Sequence, residues 1–454
     1  MRPGLRAGGL VVLGLGLLAA APALARPVHV PRPVDDRLEH HRPTRKPARP
    51  DAADGQASAA IAALPRALLS RARTLGPGTA LLPATSPLRA WPVAAGGWLW
   101  LLQGSLSAGP SGQDGPRGGR AWGLTNWQQV SGVRALGPGL LALRSRTSLE
   151  PWTLPAGGLP QLFQTGGGTQ AQPLVDRQAP QEALSELSAR LTWPLSDHAG
   201  LVLYGGLVGE PALGPAAAWQ RPSAADNAWA PLVPAVPDAA RVCHGVVTAG
   251  LELGAWRLEG SAFNGREASG DLGGLRLRPL DAWAARLSWV PDPRWVLQAS
   301  TARLRAPAPR LPGDVERSTA SATVVQPVPG GLWATTALWG HQRAASAGTE
   351  RRGLGLESQY DFGATHLYGR AEWGDVAGLP AVDATGGHRL GAFTVGLARD
   401  LDWSEAFDLA IGADATTCEV PADLASLYGE APLSWRVYAR LRPPGQRADP
   451  RPSP

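Results

Sequence analysis

The sequence predicts an all-β fold, a single antiparallel transmembrane β-barrel of about 16 strands (range about 14–16), with long outer loops and short periplasmic turns. Three observations support this prediction. Segments of about ten residues alternate between apolar and polar side chains, tryptophans lie near the segment ends, and long connections alternate with short ones. A soluble β-sandwich would show the same alternation, but its strands usually span only ~5–6 residues and its connections need not alternate.

The N-terminus has the pattern of a secretory signal peptide over residues 1–25. Arg2 and Arg6 precede an apolar run at residues 10–20, and the small-x-small motif at residues 23–25 follows. An uncleaved membrane anchor is the alternative, but the run is short and Pro22 ends it. No other stretch of about 18 apolar residues occurs, so a helical membrane protein is excluded. We therefore expect export, with cleavage after about Ala25.

Two flanking segments are expected to lie outside the barrel wall. Residues 26–95 form a Pro/Arg-rich N-terminal segment, which we expect to be mostly disordered because its composition cannot bury a core. Such a segment would lie in the periplasm or in the lumen. Residues 443–454 form a second disordered tail, which leaves residues 96–442 for the barrel.

The alternation is clearest in the last predicted strand. Trp435 and Val437 share one face, whereas Arg436, Tyr438 and Arg440 share the other, because successive side chains on a strand point to opposite faces. The segments that follow this rule lie near residues 97–107, 119–130, 139–149, 183–195, 199–209, 242–252, 255–265, 282–290, 295–305, 316–326, 331–341, 352–361, 364–374, 388–400, 405–415 and 432–442.

The tryptophans are spaced to reach both membrane interfaces. Trp283 and Trp289 are six residues apart, as are Trp333 and Trp339. That separation spans roughly 20 Å along a strand, which places the two rings towards opposite interfacial belts. The predicted interfacial aromatic residues are Trp193, Trp256, Trp283, Trp289, Trp333, Trp339 and Trp435.

Connection lengths support a closed transmembrane barrel. The longest connections, residues 150–182, 210–241, 266–281 and 416–431, all follow odd-numbered strands, and those after even-numbered strands are short. Two of the short ones, residues 291–294 and 327–330, contain proline or glycine, which suits turns. Transmembrane barrels have this asymmetry, and closure removes the exposed edges of a large open sheet.

Composition and motifs argue against several other classes. The net charge of +6 and pI near 10.0 would suit nucleic-acid binding, but predicted export and scattered arginines argue against it. The glycine run at residues 166–168 lacks the following helix or lysine of a phosphate cradle, and no histidine shows metal-ligand spacing. We therefore expect no cofactor, no metal and no catalytic residue. Whether Cys243 and Cys418 pair is left open.

Several segments resemble a family of uncharacterised outer-membrane β-barrel proteins of proteobacteria, usually described as hypothetical proteins. The matching stretches include residues 148–154, 174–178, 209–215, 221–224, 245–250 and 258–261, and the resemblance covers roughly residues 97–442. It implies an outer-membrane location and a barrel fold, and it supplies no substrate. It also implies histidines where this chain has Ala179, Gln181, Gln220, Pro234 and Ala235, so a metal site built on them is not expected here.

Charged side chains on the polar faces and in the longest loops are the candidate lumen residues. The arginines would favour anions if unpaired, whereas pairs such as Arg257 with Glu259 would neutralise a plugged interior, and both interpretations stay open. The loop residues either pin the loops to the wall or line a constriction. The candidates are Arg144, Arg146, Arg190, Arg286, Arg370, Arg436, Arg440, Asp176, Arg177, Glu210 and Arg221.

We expect a porin-like passive channel for small solutes in the bacterial outer membrane, with an anion preference if the arginines stay unpaired. The alternatives are a plugged structural or adhesive barrel and a barrel-rim enzyme acting on lipid. The enzyme would need Ser or Asp to converge with His341 or His388 at one rim. The expected partners are outer-membrane lipid and small solutes, without nucleic acid. The oligomeric state is not predicted.

Overall fold

A computed structural model describes residues 74–155, 157–166, 174–232, 236, 242–266, 275, 277–307, 313–344, 348–379 and 387–446. The predicted signal peptide, residues 26–73 of the predicted N-terminal segment and residues 447–454 of the predicted tail lie outside the described residues.

Nearly all regular structure of the described residues is β-strand. Two short helices, α1 (Glu150–Thr153) and α2 (Ala425–Tyr428), and two 3-10 turns, Ala218–Gln220 and Pro222–Ala224, lie in the connections. Within the described ranges, no helix has the length and apolar character needed to cross a bilayer. The strands are β1 (Leu88–Arg89), β2 (Trp91–Ala95), β3 (Trp98–Gln113), β4 (Gly119–Leu136), β5 (Gly139–Thr147), β6 (Leu159–Gly166), β7 (Leu174–Gln178), β8 (Leu184–Ser196), β9 (Ala199–Gly209), β10 (Cys243–Leu253), β11 (Trp256–Phe263), β12 (Ala282–Trp289), β13 (Trp295–Arg305), β14 (Asp314–Val328), β15 (Gly331–Ala344), β16 (Thr349–Phe362), β17 (Thr365–Val376), β18 (His388–Ser404), β19 (Phe407–Glu419), β20 (Leu433–Arg442) and β21 (Gly445–Gln446).

Sixteen strands, β3–β5 and β8–β20, form a closed antiparallel wall in which each strand pairs with the next. β20 closes the barrel by pairing with β3, where Leu441 lies opposite Leu106. The short strand β2 continues the same edge of β3, with Trp91 opposite Leu102. The sixteen-stranded antiparallel barrel predicted from the sequence is therefore confirmed, and each predicted segment coincides with one wall strand.

The first two wall strands extend well past their predicted ends at residues 107 and 130. The extension of β3 is rich in Gly, Ser and Pro, which hides the period-two pattern. Close packing requires the small residues, because a Cβ at Gly112 would lie 2.6 Å from the indole Nε1 of Trp435. The sequence alone therefore does not reveal the end of β3, which becomes evident only from its pairing with the neighbouring strands.

The alternation is the reverse of that in a soluble barrel, with apolar side chains outside and charged ones inside. On β11, Leu258 is 58% exposed, whereas its neighbours Arg257 and Glu259 are buried. The same order recurs on β12, where Leu287 is exposed and Arg286 is buried. Such a surface suits hydrocarbon on the outside and a polar lumen on the inside.

The two ends of the barrel differ in their connections. The short-turn end has connections of a few residues, such as 137–138, 197–198, 254–255 and 363–364, and the long-loop end has connections such as 148–183 and 210–242. An apolar cluster that includes Phe163, Leu424 and Tyr428 packs at the long-loop end. A second cluster, with Leu88, Leu99 and others, packs at the short-turn end. Both cysteines are buried and free, which answers the question of their pairing.

Candidate lumen site

One long connection folds into the barrel. We call residues 210–232 the inward segment. After β9 it crosses the lumen, and the backbone N–H of Gly214 donates to Ser300 Oγ of β13 at 2.9 Å. At its far end, the N–H of Leu232 donates to Glu372 Oε1 of β17 at 2.7 Å. The inward segment therefore bridges opposite parts of the wall.

A buried ion pair holds the middle of the inward segment. Arg221 donates to Glu357 of β16 through Nε and Nη2, each at 2.8 Å, and both side chains are 1% exposed. The planar guanidinium fits the carboxylate in this two-bond geometry. Beside this pair, the hydroxyls of Ser223 and Thr336 lie 2.7 Å apart.

Two of the predicted lumen arginines support the far end of the inward segment. Arg436 Nη2 donates to Asp414 Oδ2 at 2.6 Å, and the indole N–H of Trp229 donates to Asp414 Oδ1 at 2.6 Å. Arg370 donates to Glu372 at 2.8 Å and to the carbonyl oxygen of Trp229 at 3.0 Å. Both arginines thus pair with carboxylates and contact the segment.

Asp226 of the inward segment lies in a dense network of charges near the short-turn end. Arg440 and Arg442 both contact its carboxylate. Ligand atoms of Asp226, Asp361 and His366 lie within 4.8 Å of one another, which is close enough to hold a metal ion. The two arginines already neutralise Asp226, and His366 Nδ1 lies 2.7 Å from Asp361 Oδ1. The donor set therefore suits an ion-pair network better than a metal.

The predicted arginines on β5 and β12 also face carboxylates. Arg146 Nη2 donates to Glu210 Oε1 at 2.8 Å, and Arg144 lies 3.4 Å from Glu186. On β12, Arg286 donates to Glu259 Oε2 at 2.9 Å.

Arg190 of β8 differs from the other predicted arginines. It is 4% exposed, and its Nε and Nη1 have no hydrogen-bond partner within the described part of the chain.

The lumen is close to charge balance. Eleven arginines and ten acidic side chains are buried among the described residues. Ion pairs neutralise most of these arginines. Arg370 pairs with Glu372 on its own strand, whereas Arg257, for which the sequence suggested Glu259, pairs with Glu252, and Glu259 pairs with Arg286. A lumen of this kind offers little net attraction to anions as a class.

Part of the predicted N-terminal segment lies inside the barrel. Residues 74–90 lie inside, and at the short-turn end Thr85 Oγ1 donates to the carbonyl oxygen of Val325 at 2.6 Å, whereas residues 91–95 form β2 beside β3. Arg89 pairs with Asp408 at 2.7 Å. Deeper in the lumen, the N–H of Gly78 donates to Glu186 at 3.3 Å. These residues therefore cover part of the short-turn end from within.

A cavity of about 610 Å³ remains between the inward segment and wall strands β3–β5. On β4 its lining runs from Thr125 to Val133. That length of strand corresponds to roughly 26 Å, or roughly 20 Å of membrane depth at the usual tilt. Leu75 and Leu88 of the N-terminal segment line it towards the short-turn end.

Trp219 narrows this cavity from the side of the inward segment. Its ring centroid lies 4.9 Å from that of Trp127 on β4, and the guanidinium of Arg146 stands 4.0 Å above it. Gln220 donates to Gln129 of β4 at 3.1 Å. Sequence reasoning did not single out Trp219 or Trp127, because Trp219 lies in a connection without periodicity and Trp127 faces inward, against the expected aromatic belts.

A buried carboxyl that forms no ion pair with any described residue lines the same cavity. Glu150 of α1 accepts hydrogen bonds from the N–H of Asn126 at 3.1 Å and of Gln181 at 2.8 Å. Despite these bonds, burial raises the pKa of Glu150 to about 7. This group therefore titrates near neutral pH.

The two predicted loop residues Asp176 and Arg177 lie apart from Glu210 and Arg221. Asp176 pairs with Arg117 and accepts a bond from the hydroxyl of Tyr428 at 3.2 Å, so it ties the β6–β7 hairpin to the loops at the long-loop end. Arg177 is exposed and lines the cavity. Only Glu210 and Arg221 of these four belong to the inward segment.

The predicted interfacial tryptophans all lie on the outward face, at two levels. Near the short-turn end are Trp193, Trp256, Trp289 and Trp333, and near the long-loop end are Trp283, Trp339 and Trp435. Trp193 and Trp435 are half-buried, and the other five are exposed. Trp256 and Trp289 face each other across adjacent strands and stack with centroids 5.3 Å apart.

The two rim histidines each meet one carboxylate. His388 Nδ1 lies 3.3 Å from Asp423, and His341 Nε2 lies 3.5 Å from Glu350. Among the residues that the structure describes, no serine hydroxyl hydrogen-bonds to either ring. Asp423 therefore converges with His388 at the rim, as the enzyme alternative requires, but no activated serine hydroxyl is seen beside either histidine in the described residues.

No family model and no curated protein matches the sequence. The chain is similar in fold to solved structures of bacterial outer-membrane proteins. One is OmpF of Salmonella typhi in complex with daunomycin, with a TM-score of 0.49 and 10% identity over 77% of this chain and 99% of that chain. A second is the outer-membrane channel DcaP of Acinetobacter baumannii, with a TM-score of 0.45 and 10% identity over 77% of this chain and 98% of that chain. A third is an anion-selective porin from Comamonas acidovorans, with a TM-score of 0.44 and 12% identity over 76% of this chain and 99% of that chain. These similarities concern the fold alone, and the resemblance to uncharacterised proteobacterial barrels stays a prediction.

Proposed function

We propose that the protein is an exported outer-membrane barrel that works as a narrow, porin-like passive channel for small polar solutes. The observation that carries the proposal is the cavity of about 610 Å³ along β3–β5. A barrel of about 16 strands is wide enough to leave an aqueous channel, and the inward segment reduces that width. The amides of Gln103, Gln178 and Asn227 in the lining suit solutes that both donate and accept hydrogen bonds.

The outer surface supports the proposed location. Exposed leucines and valines cover the wall between two levels of tryptophan, which is the arrangement that a bilayer requires. The predicted signal peptide would deliver the chain to the bacterial envelope. We accordingly propose outer-membrane lipid as the partner of this surface.

Trp219 is the proposed constriction, and its removal provides the test. We expect the purified, refolded chain to give small conductance steps in a planar bilayer, and Trp219→Ala to give larger steps because a large ring leaves the passage. Trp256→Ala, which removes an outward ring, is the control and should conduct like the unchanged chain. An absence of steps from all of these chains, and also from a variant without residues 74–84, would contradict the channel.

We propose at most a weak preference for anions, although the number of arginines suggested a stronger one. Buried carboxylates nearly equal buried arginines in number, so the lumen as a whole should discriminate little between cations and anions.

A barrel-rim enzyme acting on lipid is the second candidate, because Asp423 lies 3.3 Å from His388 at the rim, and we propose the channel before it because the lumen holds the cavity. Lipid incubated with the folded protein should keep its acyl chains. Release of fatty acid that Asp423→Asn abolishes would contradict this view, since Asp423 is the carboxylate that His388 contacts.

A further inference from the structure

A turn of the N-terminal segment lies between arginines from two parts of the wall. Arg144 Nη1 of β5 donates to the carbonyl oxygen of Gly76 at 2.6 Å. Arg257 Nη1 of β11 donates to the carbonyl oxygen of Thr79 at 3.2 Å, and Arg286 Nη2 of β12 donates to its hydroxyl at 2.8 Å. Three guanidinium groups therefore converge on uncharged oxygen atoms of residues 76–79.

Arg190 is the fourth arginine of this cluster. Its pairing partner on β5 is Ala142, so it is the diagonal neighbour of Arg144 on the inward face. Its Nε and Nη1, together with Nε of Arg144, have no hydrogen-bond partner in the described ranges. The cluster thus holds buried donors that are not used by the protein's own groups.

Charge in the cluster is unbalanced. Glu186, Glu259 and Glu252 pair with Arg144, Arg286 and Arg257, respectively, so four arginines face three carboxylates and Arg190 forms no ion pair within the described residues. Burying one more guanidinium than carboxylates is unfavourable. Charged oxygen atoms accept hydrogen bonds from arginine more strongly than peptide carbonyls do. A small anion would therefore both balance the charge and bind the donors better than the turn does.

We propose that Arg144, Arg190, Arg257 and Arg286 form a binding site for a small oxyanion, such as a phosphate or a carboxylate, which competes with the turn at residues 75–79 for the same donors. Binding then displaces the turn and opens the cavity towards the short-turn end. The inference depends on the proposed channel only because the anion would reach the site through the cavity, which Arg144 lines.

Thiol labelling tests the site without relying on conductance. Ala80, beside the turn, is 3% exposed, so Ala80→Cys should react slowly with a small maleimide in the folded full-length chain. The labelling rate in inorganic phosphate should be several-fold higher than in chloride at equal ionic strength. The rate in acetate shows whether a carboxylate has the same effect. The unsubstituted chain, with Cys243 and Cys418 buried, measures the background.

Arginine variants decide whether the cluster causes the effect. In the Ala80→Cys chain, Arg190→Gln should abolish the acceleration, and Arg190→Lys should reduce it, which keeps the test available if the glutamine variant does not fold. Arg303→Gln, on the exposed outer face, should respond like the parent. The proposal is overturned if neither anion speeds labelling, or if the Arg190 variants respond as fully as the Arg303 variant. If the anion site exists but the protein is not a channel, labelling would still respond to phosphate and only the bilayer recordings would show no conductance steps.

Discussion

Single residues in the lumen are held by ion pairs whose members are far apart in the chain. Arg221 and Glu357 are separated by 136 positions, yet both are almost fully buried. The sequence marked Arg221 as a residue that either pins a loop or lines a constriction. It could not select Glu357, because period-two alternation tells which face a side chain occupies and not what lies across the lumen.

Breaking this pair should destabilise the barrel. Arg221→Leu removes the two-bond ion pair of the buried carboxylate of Glu357 and leaves it only the more distant Arg370 and the Ser223 hydroxyl, which we expect to cost about 3–5 kcal/mol in the free energy of unfolding. Urea titration of the refolded protein in lipid measures the change. The double variant Arg221→Leu with Glu357→Leu should recover most of the loss, and a single variant as stable as the parent would contradict the assignment.

Glu150 should make the long-loop end sensitive to pH. Its pKa is raised to about 7 in the folded protein, against about 4.3 in an unfolded chain. The folded state therefore retains a proton that the unfolded state has lost, and local stability falls as the pH rises between these values, by up to about 4 kcal/mol. Above about 7 the dependence levels off.

Hydrogen exchange of the amides at residues 148–154 measures this effect. After correction for intrinsic rates, protection should be lower at pH 8 than at pH 5, and Glu150→Gln should flatten the difference. Protection that is equal at the two pH values, or greater at pH 8, would show that the pKa of the Glu150 carboxyl is not raised in the folded protein.

At the scale of elements, the strands were predictable and the segments inside the barrel were not. Strand segments carry a local signal, because each alternates lipid-facing and lumen-facing residues. The inward segment has no regular alternation of apolar and polar residues, so neither its path nor the lumenal position of Trp219 follows from the sequence. The same holds for residues 74–90, which make hydrogen bonds to distant wall residues and pack Leu88 and Ala90 into an apolar cluster with them.

An outward position on β18 tests the lipid-facing assignment. Val395 is 64% exposed near the middle of the strand. Val395→Arg should cost about 2–4 kcal/mol in lipid, because a charge near the bilayer midplane is unfavourable. Leu401→Arg, on the same face near the short-turn end, should cost only about 0–1 kcal/mol. Equal costs at the two depths would argue against a membrane around this wall.

At the scale of the whole molecule, two segments convert a wide barrel into a narrow passage. The inward segment fills the side of β13–β20, and residues 74–90 fill the short-turn end, so the cavity follows β3–β5. The sequence predicted the barrel and its polar interior. It could not decide between an open and a filled lumen, because that depends on where the connections pack.

Charge balance in the lumen predicts weak ion selectivity. With eleven arginines and ten acidic side chains buried, the reversal potential in a potassium chloride gradient should lie close to zero. Glu357→Gln together with Asp414→Asn removes two negative charges and should shift the potential towards anion selectivity. A strongly anion-selective parent chain would mean that unpaired arginines control the passage.

The account depends most on the wall being a folded barrel in the outer membrane. The direct test is to fractionate cells that make the full-length chain and to compare its gel mobility before and after boiling, since barrels often stay folded in detergent until heated. We expect the protein in the outer-membrane fraction, with a mobility shift on boiling. A soluble periplasmic protein without a shift would contradict the membrane barrel and the channel proposed from it.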